Sequence, residues 1–517
     1  MKTCLRNTIA GFVVLGNGAW NLQAATYVDV VTNISSYVVQ GEPDTWWGSL
    51  LNVTNGTTID SDGALILMGS TNRLPLGSTV RQSNHVGYIT PGSLYASNSL
   101  IQVNGDFYLG RKTNGLLHLR DSTLRTERDS NGTFTMFIGR EAGGSGRLEM
   151  VNSRLEWNSN TTVSRIWVGY GTDSFGHFSA SNSVIGSYGN EFSKISTLGS
   201  SDNSPVSHGS AFFSSSTVTV WQCYVGGDPD NGAGNADFVF SDDSLLRISS
   251  RSPIAGTVPG FRVGQSGSGA YTSSVNFAHS RLETPADTYV GVGSPRGFGR
   301  LRFTDDATAQ MKGNLHIGVG FNAKGFLDVF SGSVVSITNA AGTAALVVGV
   351  TGFGTLNLDG GTLDVDALFA TNAAKSVVSF SSGTLKVNSA KVSTGVPWVI
   401  GNGIDSAVLA HRGTAVAQVD GDMKFKDHSV WHVDLDAGAG EVLDVKGQLT
   451  FDAGCALRLD TDTPFGKLDE RRLALADSVV GRPTLPDAIL ALRVRTDGFG
   501  RKEVLLTPLQ ETVIVIR

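Results

Sequence analysis

The feature that most limits how this chain can fold is a segment that recurs about every 29 residues. In each copy an apolar residue precedes a glycine, and a short turn, a second glycine and a strand of alternating apolar and polar residues follow. The clearest copy lies at 348–363. Nine copies, spaced by 27 to 38 residues, have their first glycine at Gly110, Gly139, Gly169, Gly199, Gly226, Gly264, Gly291, Gly318 and Gly349.

A period of this length, with two or three short strands and no helical pattern, is typical of a β-solenoid. Each coil of such a fold buries its inner side against the coils above and below it. Glycine makes up 64 of the 517 residues without a collagen triplet, which favours many tight turns between short strands. Leucine-rich and ankyrin-like arrays are excluded because their helices and residue frames are missing. The sequence therefore predicts an all-β solenoid.

Side-chain roles within a repeat follow from the two-residue period of a strand. Leu356 and Leu358 are predicted to face the core, with Asn357 outside. Gly360-Gly361 looks like a hairpin turn, but the recurrence predicts a corner after which the chain continues in the same winding direction. Polar side chains that bond their own backbone mark this corner in most copies. The predicted corner residues are Asp121, Asn152, Asn182, Ser215, Asp305, Ser331 and Asp359.

The first residues have the layout of a secretory signal peptide. Lys2 and Arg6 precede an apolar run at 9–15, and the small residues Ala24 and Ala25 suit cleavage. The apolar run is too short for a transmembrane helix. We therefore expect export through the inner membrane and an extracellular, cell-surface or periplasmic location.

Changes in the pattern divide the chain into four predicted regions. The regular signature fades after Leu363, and charged and proline-containing segments interrupt the strands beyond residue 465. These regions are a signal peptide at 1–24, an N-terminal cap with irregular coils at 25–105, β-solenoid repeats at 106–388, and a C-terminal all-β capping region at 389–517.

The repeat frame resembles the autotransporter/PEP-CTERM-associated repeat of bacterial exported proteins. The resemblance is clearest at 317–335 and 348–363 and covers 109–363, about half of the chain. The segment EVLDVKGQLTF at 441–451 also looks like the D-x-L-x-V-x-G-x-L segment near the end of autotransporter passenger domains, with Glu in the usual Asp position. The resemblance implies a right-handed parallel β-helix in an exported, often surface-associated protein.

The sequence departs from the autotransporter pattern at its end. Chains of that type finish with an outer-membrane barrel and a terminal aromatic residue, whereas this sequence ends in TVIVIR at 512–517. The motif, apolar helix and basic end of a PEP-CTERM sorting tail are missing too. We therefore expect passage across the inner membrane without an autonomous route through an outer membrane.

Charge and cysteine content narrow the expected partners. The net charge is −6 and no run of five basic residues occurs, which disfavours nucleic acid. No segment after the signal peptide is apolar enough to span a membrane, and the expected partners are extracellular glycans or surface components. Cys223 and Cys455 are far apart in sequence and are predicted to be buried apolar residues, not a disulfide.

Candidate catalytic carboxylates are few and have simpler explanations. The pairs Asp242-Asp243 and Asp305-Asp306 fall at the corner position, and neighbours in a strand point to opposite faces. No G-x-S-x-G nucleophile motif occurs. The sequence therefore predicts no catalytic and no cofactor-binding residues.

The segment at 226–237 is acidic and rich in glycine, so Asp228, Asp230 and Asp237 are weak candidate calcium ligands. It lacks the twelfth-position Glu of an EF-hand and the GGxGxD repeat of calcium-binding β-rolls. An elongated corner loop is the preferred interpretation, and calcium is the one cofactor left open.

Aromatic residues beside turns offer weak support for sugar binding. Tyr170, Tyr188 and Tyr271 are predicted to be exposed there, where rings stack on sugars, although scattered surface aromatics are ordinary. His428 and His432 flank Trp431 in a predicted strand, which separates the two imidazoles too far to share a zinc ion.

These observations favour an exported, non-enzymatic β-solenoid with a structural or adhesive role at the cell surface or in the extracellular matrix. Two alternatives stay open. A β-helical polysaccharide lyase or glycoside hydrolase requires charged residues from adjacent coils to converge on one face. A passive glycan-binding protein requires only exposed aromatic and polar side chains.

Overall fold

Three parallel sheets run along the protein in the computed structural model, and successive strands pair from coil to coil. The structure describes residues 21–508 with gaps, of which the longest are 74–82, 198–206 and 250–259, and it describes side chains from residue 84 onward. Apart from Asn21 and Leu22, the predicted signal peptide lies outside the described residues. Those residues contain strands and turns and no helix. The predicted all-β solenoid is confirmed.

The parallel winding begins ahead of the regular repeats, because β4 pairs with β7 and β5 pairs with β8 in parallel. The strands of this N-terminal part are β1 (Asn21–Leu22), β2 (Thr26–Val28), β3 (Val31–Ile34), β4 (Tyr37–Gln40), β5 (Asp44–Trp47), β6 (Leu50–Val53), β7 (Thr57–Asp60), β8 (Gly63–Met68), β9 (Thr71–Arg73) and β10 (Ser83–Val86).

The central coils each contribute three strands. These are β11 (Gly92–Ser97), β12 (Leu100–Asn104), β13 (Asp106–Leu109), β14 (Asn114–Arg120), β15 (Thr123–Glu127), β16 (Thr133–Ile138), β17 (Ser145–Val151), β18 (Arg154–Trp157), β19 (Val163–Val168), β20 (Phe175–Ser181), β21 (Val184–Ile185), β22 (Phe192–Thr197), β23 (His208–Ser214), β24 (Thr217–Val225), β25 (Gly227–Asp228), β26 (Gly232–Ala233), β27 (Asn235–Ser241), β28 (Leu245–Ile248), β29 (Gly260–Gln265), β30 (Thr272–Ala278), β31 (Arg281–Thr284), β32 (Thr288–Val292), β33 (Phe298–Thr304), β34 (Thr308–Met311), β35 (Leu315–Ile317), β36 (Lys324–Phe330), β37 (Val334–Ile337) and β38 (Ala345–Val348).

The first sheet contains β11, β14, β17, β20, β23, β27, β30, β33 and β36. The second sheet contains β12, β15, β18, β21, the start of β24, β28, β31, β34 and β37. The third sheet contains β13, β16, β19, β22, the end of β24, β29, β32, β35 and β38. The short strands β25 and β26 form a separate antiparallel pair in a loop.

The three sheets continue into the C-terminal part, where β39 and β40 each pass through all of them. The strands are β39 (Phe353–Ala370), β40 (Ser376–Val392), β41 (Trp398–Ile400), β42 (Ala407–His411), β43 (Ala417–Val419), β44 (Met423–Phe425), β45 (Ser429–Asp434), β46 (Leu443–Phe451), β47 (Ala456–Asp460), β48 (Arg471–Val480), β49 (Leu490–Thr496) and β50 (Lys502–Pro508). Parallel pairing persists to β48, and β48, β50 and β49 then pair antiparallel at the end.

The two glycines of the repeat that begins at Gly291 meet at the corner between the third and first sheets. Gly291, a first glycine, has φ +69°, and a Cβ there would lie 2.5 Å from the backbone oxygen of Lys324 in the next coil. Gly299, the matching second glycine, would place a Cβ 2.2 Å from the oxygen of Val263 in the preceding coil. Three backbones therefore pack here without room for a side chain, which explains the glycine at both positions of this repeat. Ala236 and Ser273 take the second position in two other coils.

The corner between the first and second sheets contains the predicted turn residues. Asp121, Asn152, Asn182, Ser215 and Asp305 all have positive φ near 50°, as turn residues of this type tolerate. Their prediction as corner residues is confirmed.

At Gly360 and Gly361 the structure confirms a corner and not a hairpin. The two halves of β39 on either side pair in parallel with β36 and β37 of the preceding coil.

A buried serine follows four of these turn residues, Asp121, Asn152, Asn182 and Ser215, and the sequence analysis did not predict it. The backbone N–H of Ser122 donates to Ser153 Oγ at 3.1 Å, and Ser153 Oγ donates to the Val151 oxygen at 2.7 Å. The buried corner N–H groups are thereby satisfied from coil to coil. The same ladder joins Ser99, Ser122, Ser153, Ser183, Ser216 and Ser244, whose offsets of 23 to 33 residues bracket the predicted coil length.

The core is a column of apolar side chains between the three sheets. On the inner side of the first sheet, the rings of Phe213, Phe240, Phe277 and Phe303 stack with centroid separations of 4.9, 4.8 and 5.3 Å. The predicted inward residues Leu356 and Leu358 are each 1% exposed. Cys223 and Cys455 are buried and unbridged, as predicted.

Truncation of the central ring tests the energetic role of this phenylalanine stack. Phe277→Ala should lower the free energy of unfolding by about 3–5 kcal/mol, because it leaves a ring-sized cavity between two neighbours. The measurement is urea unfolding followed by circular dichroism. Phe212→Ala, at a 43% exposed ring on the outer side of β23, is the matched control. Equal losses in the two variants would contradict a stabilising stack.

Candidate functional site

The outer faces are organised as columns, because the pairing register sets each outward residue beside its equivalent in the next coil. His118, for example, pairs with Glu149, and Glu149 pairs with Ser179. Neighbouring coils lie about 4.8 Å apart. A functional site on this fold is therefore built from one or two residues of each of several coils.

An aromatic column covers part of the third sheet from outside. The rings of His85 and Tyr108 stack at 4.7 Å and those of Tyr108 and Phe137 at 4.9 Å. Tyr108, Phe137 and Trp167 are only 3–7% exposed although they point away from the core. The guanidinium of Arg140 lies 4.4 Å from the Phe137 ring centre, a cation–π distance. This column is a second, external apolar cluster.

The column resumes farther along the same sheet. Arg262 lies over the rings of Tyr224 and Tyr289 at 5.1 and 5.4 Å, and Tyr289 stacks on His316 at 5.0 Å. Burial raises the pKa of Tyr289 and lowers the pKa of His316, so both groups are held neutral at physiological pH. The arrangement stabilises the outer side of the sheet.

Charged pairs between adjacent coils line the second sheet. Arg125 Nη2 lies 3.2 Å from Glu156 Oε2, and Arg247 Nε lies 2.7 Å from Glu283 Oε2. Arg281, two residues before Glu283 in β31, lies 2.7 Å from the other oxygen of the Glu283 carboxylate. Each carboxylate is thus neutralised within the face.

A shallow cleft of about 280 Å³ adjoins the Glu283 cluster. Its lining includes Arg247, Glu283, Gln310 and Lys312, which come from three successive coils. Hydrolysis of a glycosidic bond usually requires two carboxyl groups across the bond, and this lining contains one. The cleft has cationic groups suited to contact an acidic sugar.

The predicted calcium ligands are only partly described. Asp230 lies outside the described residues, and of Asp228 only the backbone in β25 is described. Asp237 is exposed on the outer side of β27 and accepts a hydrogen bond from Ser274 Oγ at 2.6 Å. Among the described residues, no three His, Cys, Asp or Glu side chains are grouped as a metal site requires. Calcium binding stays a prediction.

The acidic pairs occupy corners, as predicted. Asp242 and Asp243 have φ of 52° and 63°, and Asp305 and Asp306 have φ of 53° and 61°. Hydrogen bonds from Ser214 and Ser241 lower the pKa of Asp242, which keeps this carboxylate ionised. His428 also lies at a corner, with φ 61°, and His432 lies in β45 next to Asp460.

The three tyrosines that were predicted to be exposed differ in their burial and in whether the structure describes them. Tyr271 is 4% exposed, so the expectation of a surface ring there was wrong, because it directly precedes β30 and shares the buried phase of Ser273 and Val275. Tyr170 is half-buried and packs against Phe137 and Trp167 in the aromatic column. Tyr188 lies outside the described residues.

Sequence reasoning missed the aromatic column although a signal was present. The column residue stands two positions before the first glycine in Tyr108-Leu-Gly110, Phe137-Ile-Gly139 and Trp167-Val-Gly169. Alternation alone predicts that such a residue faces outward, and the coil register then stacks it on its equivalents.

No family model matches the chain, and no curated protein matches it. The resemblance to autotransporter and PEP-CTERM-associated repeats therefore stays a prediction. Within the described part of the chain, no helix has the length and apolar character needed to cross a membrane.

His85 gives the aromatic column a pH dependence. Burial between Tyr88 and Tyr108, with Arg111 and Arg140 nearby, lowers its pKa from 6.5 to about 4. Between pH 6.5 and about pH 4, His85 takes up a proton in the unfolded chain but not in the folded protein. Stability from this residue is therefore complete above pH 6.5 and is lost as pH falls toward 4, by roughly 2–3 kcal/mol.

His85→Gln should remove this part of the acid destabilisation, as measured by urea unfolding at several pH values across that interval. His208→Gln, on the outer side of β23, is the matched control and should keep the wild-type dependence. An unchanged pH profile in His85→Gln would contradict the assignment.

Proposed function

We propose that the protein is an exported β-solenoid with a structural or adhesive role at the cell surface or in the extracellular matrix. The observation that carries the proposal is the pairing of carboxylates with arginines of the neighbouring coil. Glu156, Glu283 and Asp328 are all held in this way. A carboxylate in such a pair joins two coils and contributes to the stability of the stack.

The carboxyl groups with shifted pKa values support the same conclusion. Hydrogen bonds from Arg495 and Arg472 lower the pKa of Glu503. Burial acts to raise the pKa of Asp444, but hydrogen bonds from Lys446 and Arg501 outweigh burial and lower it. A general acid for glycoside cleavage needs a pKa raised toward neutrality. The described carboxyl groups with a shift move in the opposite direction.

A second candidate function, cleavage of an acidic polysaccharide, is favoured by the cleft beside Glu283. Arg247, Gln310 and Lys312 line it from successive coils, and cations of this kind neutralise a sugar carboxylate and take part in elimination chemistry. Passive glycan binding, the other alternative, uses the same exposed surfaces without bond cleavage.

Incubation of the full chain with a panel of insoluble and soluble polysaccharides separates these functions. We expect the protein to be retained on surfaces or glycans without release of oligosaccharides or of unsaturated sugar ends. Chromatography and the ultraviolet absorbance of unsaturated ends measure the release.

Release of products that disappears in Glu283→Gln or Lys312→Gln would overturn the structural proposal in favour of the enzyme. Lys391→Gln, at an exposed lysine of the third sheet, is the control substitution for surface charge and should change neither retention nor release.

A further inference from the structure

Aromatic and basic side chains alternate along one edge of the first sheet. Phe298 pairs with Lys324, and Lys324 pairs with Phe353 in the next coil. Lys375 follows beside Phe353, since the adjacent residues Gly354 and Ser376 are paired. We call Phe298, Lys324, Phe353 and Lys375 the Phe–Lys column. This column lies beside the corner between the third and first sheets.

The Phe–Lys column and the neighbouring residue Phe321 present a large apolar area to solvent. Phe353 is 42% exposed, and Phe321, in the turn just before Lys324, is 63% exposed. Lys375 Nζ lies 5.4 Å from the Phe321 ring centre and 5.8 Å from that of Phe353. Its amine also donates to the Thr351 oxygen at 2.5 Å. A cation is thus held between two exposed rings. Exposed apolar patches rimmed by polar residues are typical of ligand-binding grooves and interfaces.

The outer surface of the first sheet next to the Phe–Lys column carries a net positive charge. Arg300 and Arg302 lie on the outer side of β33, with side chains 37% and 41% exposed. The carboxylate between them, Asp328, is 1% exposed and accepts hydrogen bonds from Arg300 Nε at 2.5 Å and Asn357 Nδ2 at 2.7 Å. The Asp328 carboxylate is therefore already paired with neighbouring side chains of the same sheet. The cations outnumber it in this region, although the chain as a whole has a net charge of −6.

The spacing of the column fits a linear repeating ligand. Equivalent residues recur every second coil, so the two lysines, like the two phenylalanines, are about 10 Å apart along the solenoid axis. A pyranose unit of an extended β-linked chain advances by nearly the same length as one coil. A polysaccharide in which acidic and neutral sugars alternate therefore repeats its carboxylate at the spacing of the lysines.

We propose that the Phe–Lys column binds an acidic polysaccharide with a carboxylate on alternate sugars. Lys324 and Lys375 contact successive carboxylates, and the rings of Phe321 and Phe353 cover the apolar faces of the sugars between them. This proposal rests on the adhesive role proposed above and names the class of its ligand.

Hyaluronan decasaccharide, in which every second sugar carries a carboxylate, is the probe for the full chain at low ionic strength. Its methyl ester keeps the rings and removes the charges, and polyglutamate and single-stranded DNA supply charge without this sugar chain. We expect binding to hyaluronan that falls as salt is added, with much weaker binding to the other three.

Variants at exposed positions locate the site. The double variant Lys324→Gln/Lys375→Gln should weaken hyaluronan binding roughly 2- to 30-fold, the loss expected for two solvent-exposed charge pairs. Phe353→Ala should weaken binding to hyaluronan and leave the salt dependence in place. Phe212→Ala and Lys391→Gln, exposed residues away from the column, are the matched controls and should bind as the wild type does.

Equal affinity for the methyl ester, for polyglutamate or for DNA would overturn the proposal, as would an undiminished affinity in the lysine double variant. If hyaluronan does not bind while the protein is still retained on surfaces in the polysaccharide panel, the ligand class fails and the adhesive role stands. Release of sugar products would contradict the adhesive role itself.

Discussion

The close approach of three backbones at the corner between the third and first sheets is the constraint on which the structure depends. Gly291 and Gly299 meet there with the oxygens of Lys324 and Val263 so near that a single methyl group would collide with main chain. A side chain at Gly291 or Gly299 would collide with this main chain, although Ala236 and Ser273 occupy the second-glycine position in two other coils. The glycines therefore align successive coils at this corner, and that alignment fixes which residues become neighbours.

The pairing register between coils determines which outward side chains become neighbours. Because each residue stands beside its equivalent in the next coil, a preference at one position of the repeat becomes a column. The stack of His85, Tyr108 and Phe137, the arginine–glutamate pairs such as Arg247 and Glu283, and the Phe–Lys column are three such results. A solenoid thus turns a weak compositional bias into an extended surface.

The sequence predicted the fold well because its signals are local and repeated. Gly360-Gly361 was correctly interpreted as a corner, and turn residues such as Asn152 were correctly placed, since both depend on backbone conformation within a few residues. The candidate sites were harder. Tyr271 was expected at the surface and is buried, because exposure depends on what the neighbouring coils place over a ring. The column of Lys324 and Phe353 was likewise invisible until the coil-to-coil register was known, since the two residues are far apart in sequence.

The direction of the hydrogen bonds has a mechanical consequence. In parallel pairing they run from coil to coil, as between Gly354 and Lys375, and hence along the axis of the solenoid. Tension between the two ends loads these bonds one coil after another and not all together. A coil of about 29 residues that opens releases roughly 100 Å of extended chain. The strands β48, β50 and β49 at one end pair antiparallel, so tension acts on their hydrogen bonds in a different direction. A protein that tethers two surfaces through such a stack would lengthen in steps, absorbing work while the rest of its coils stay folded.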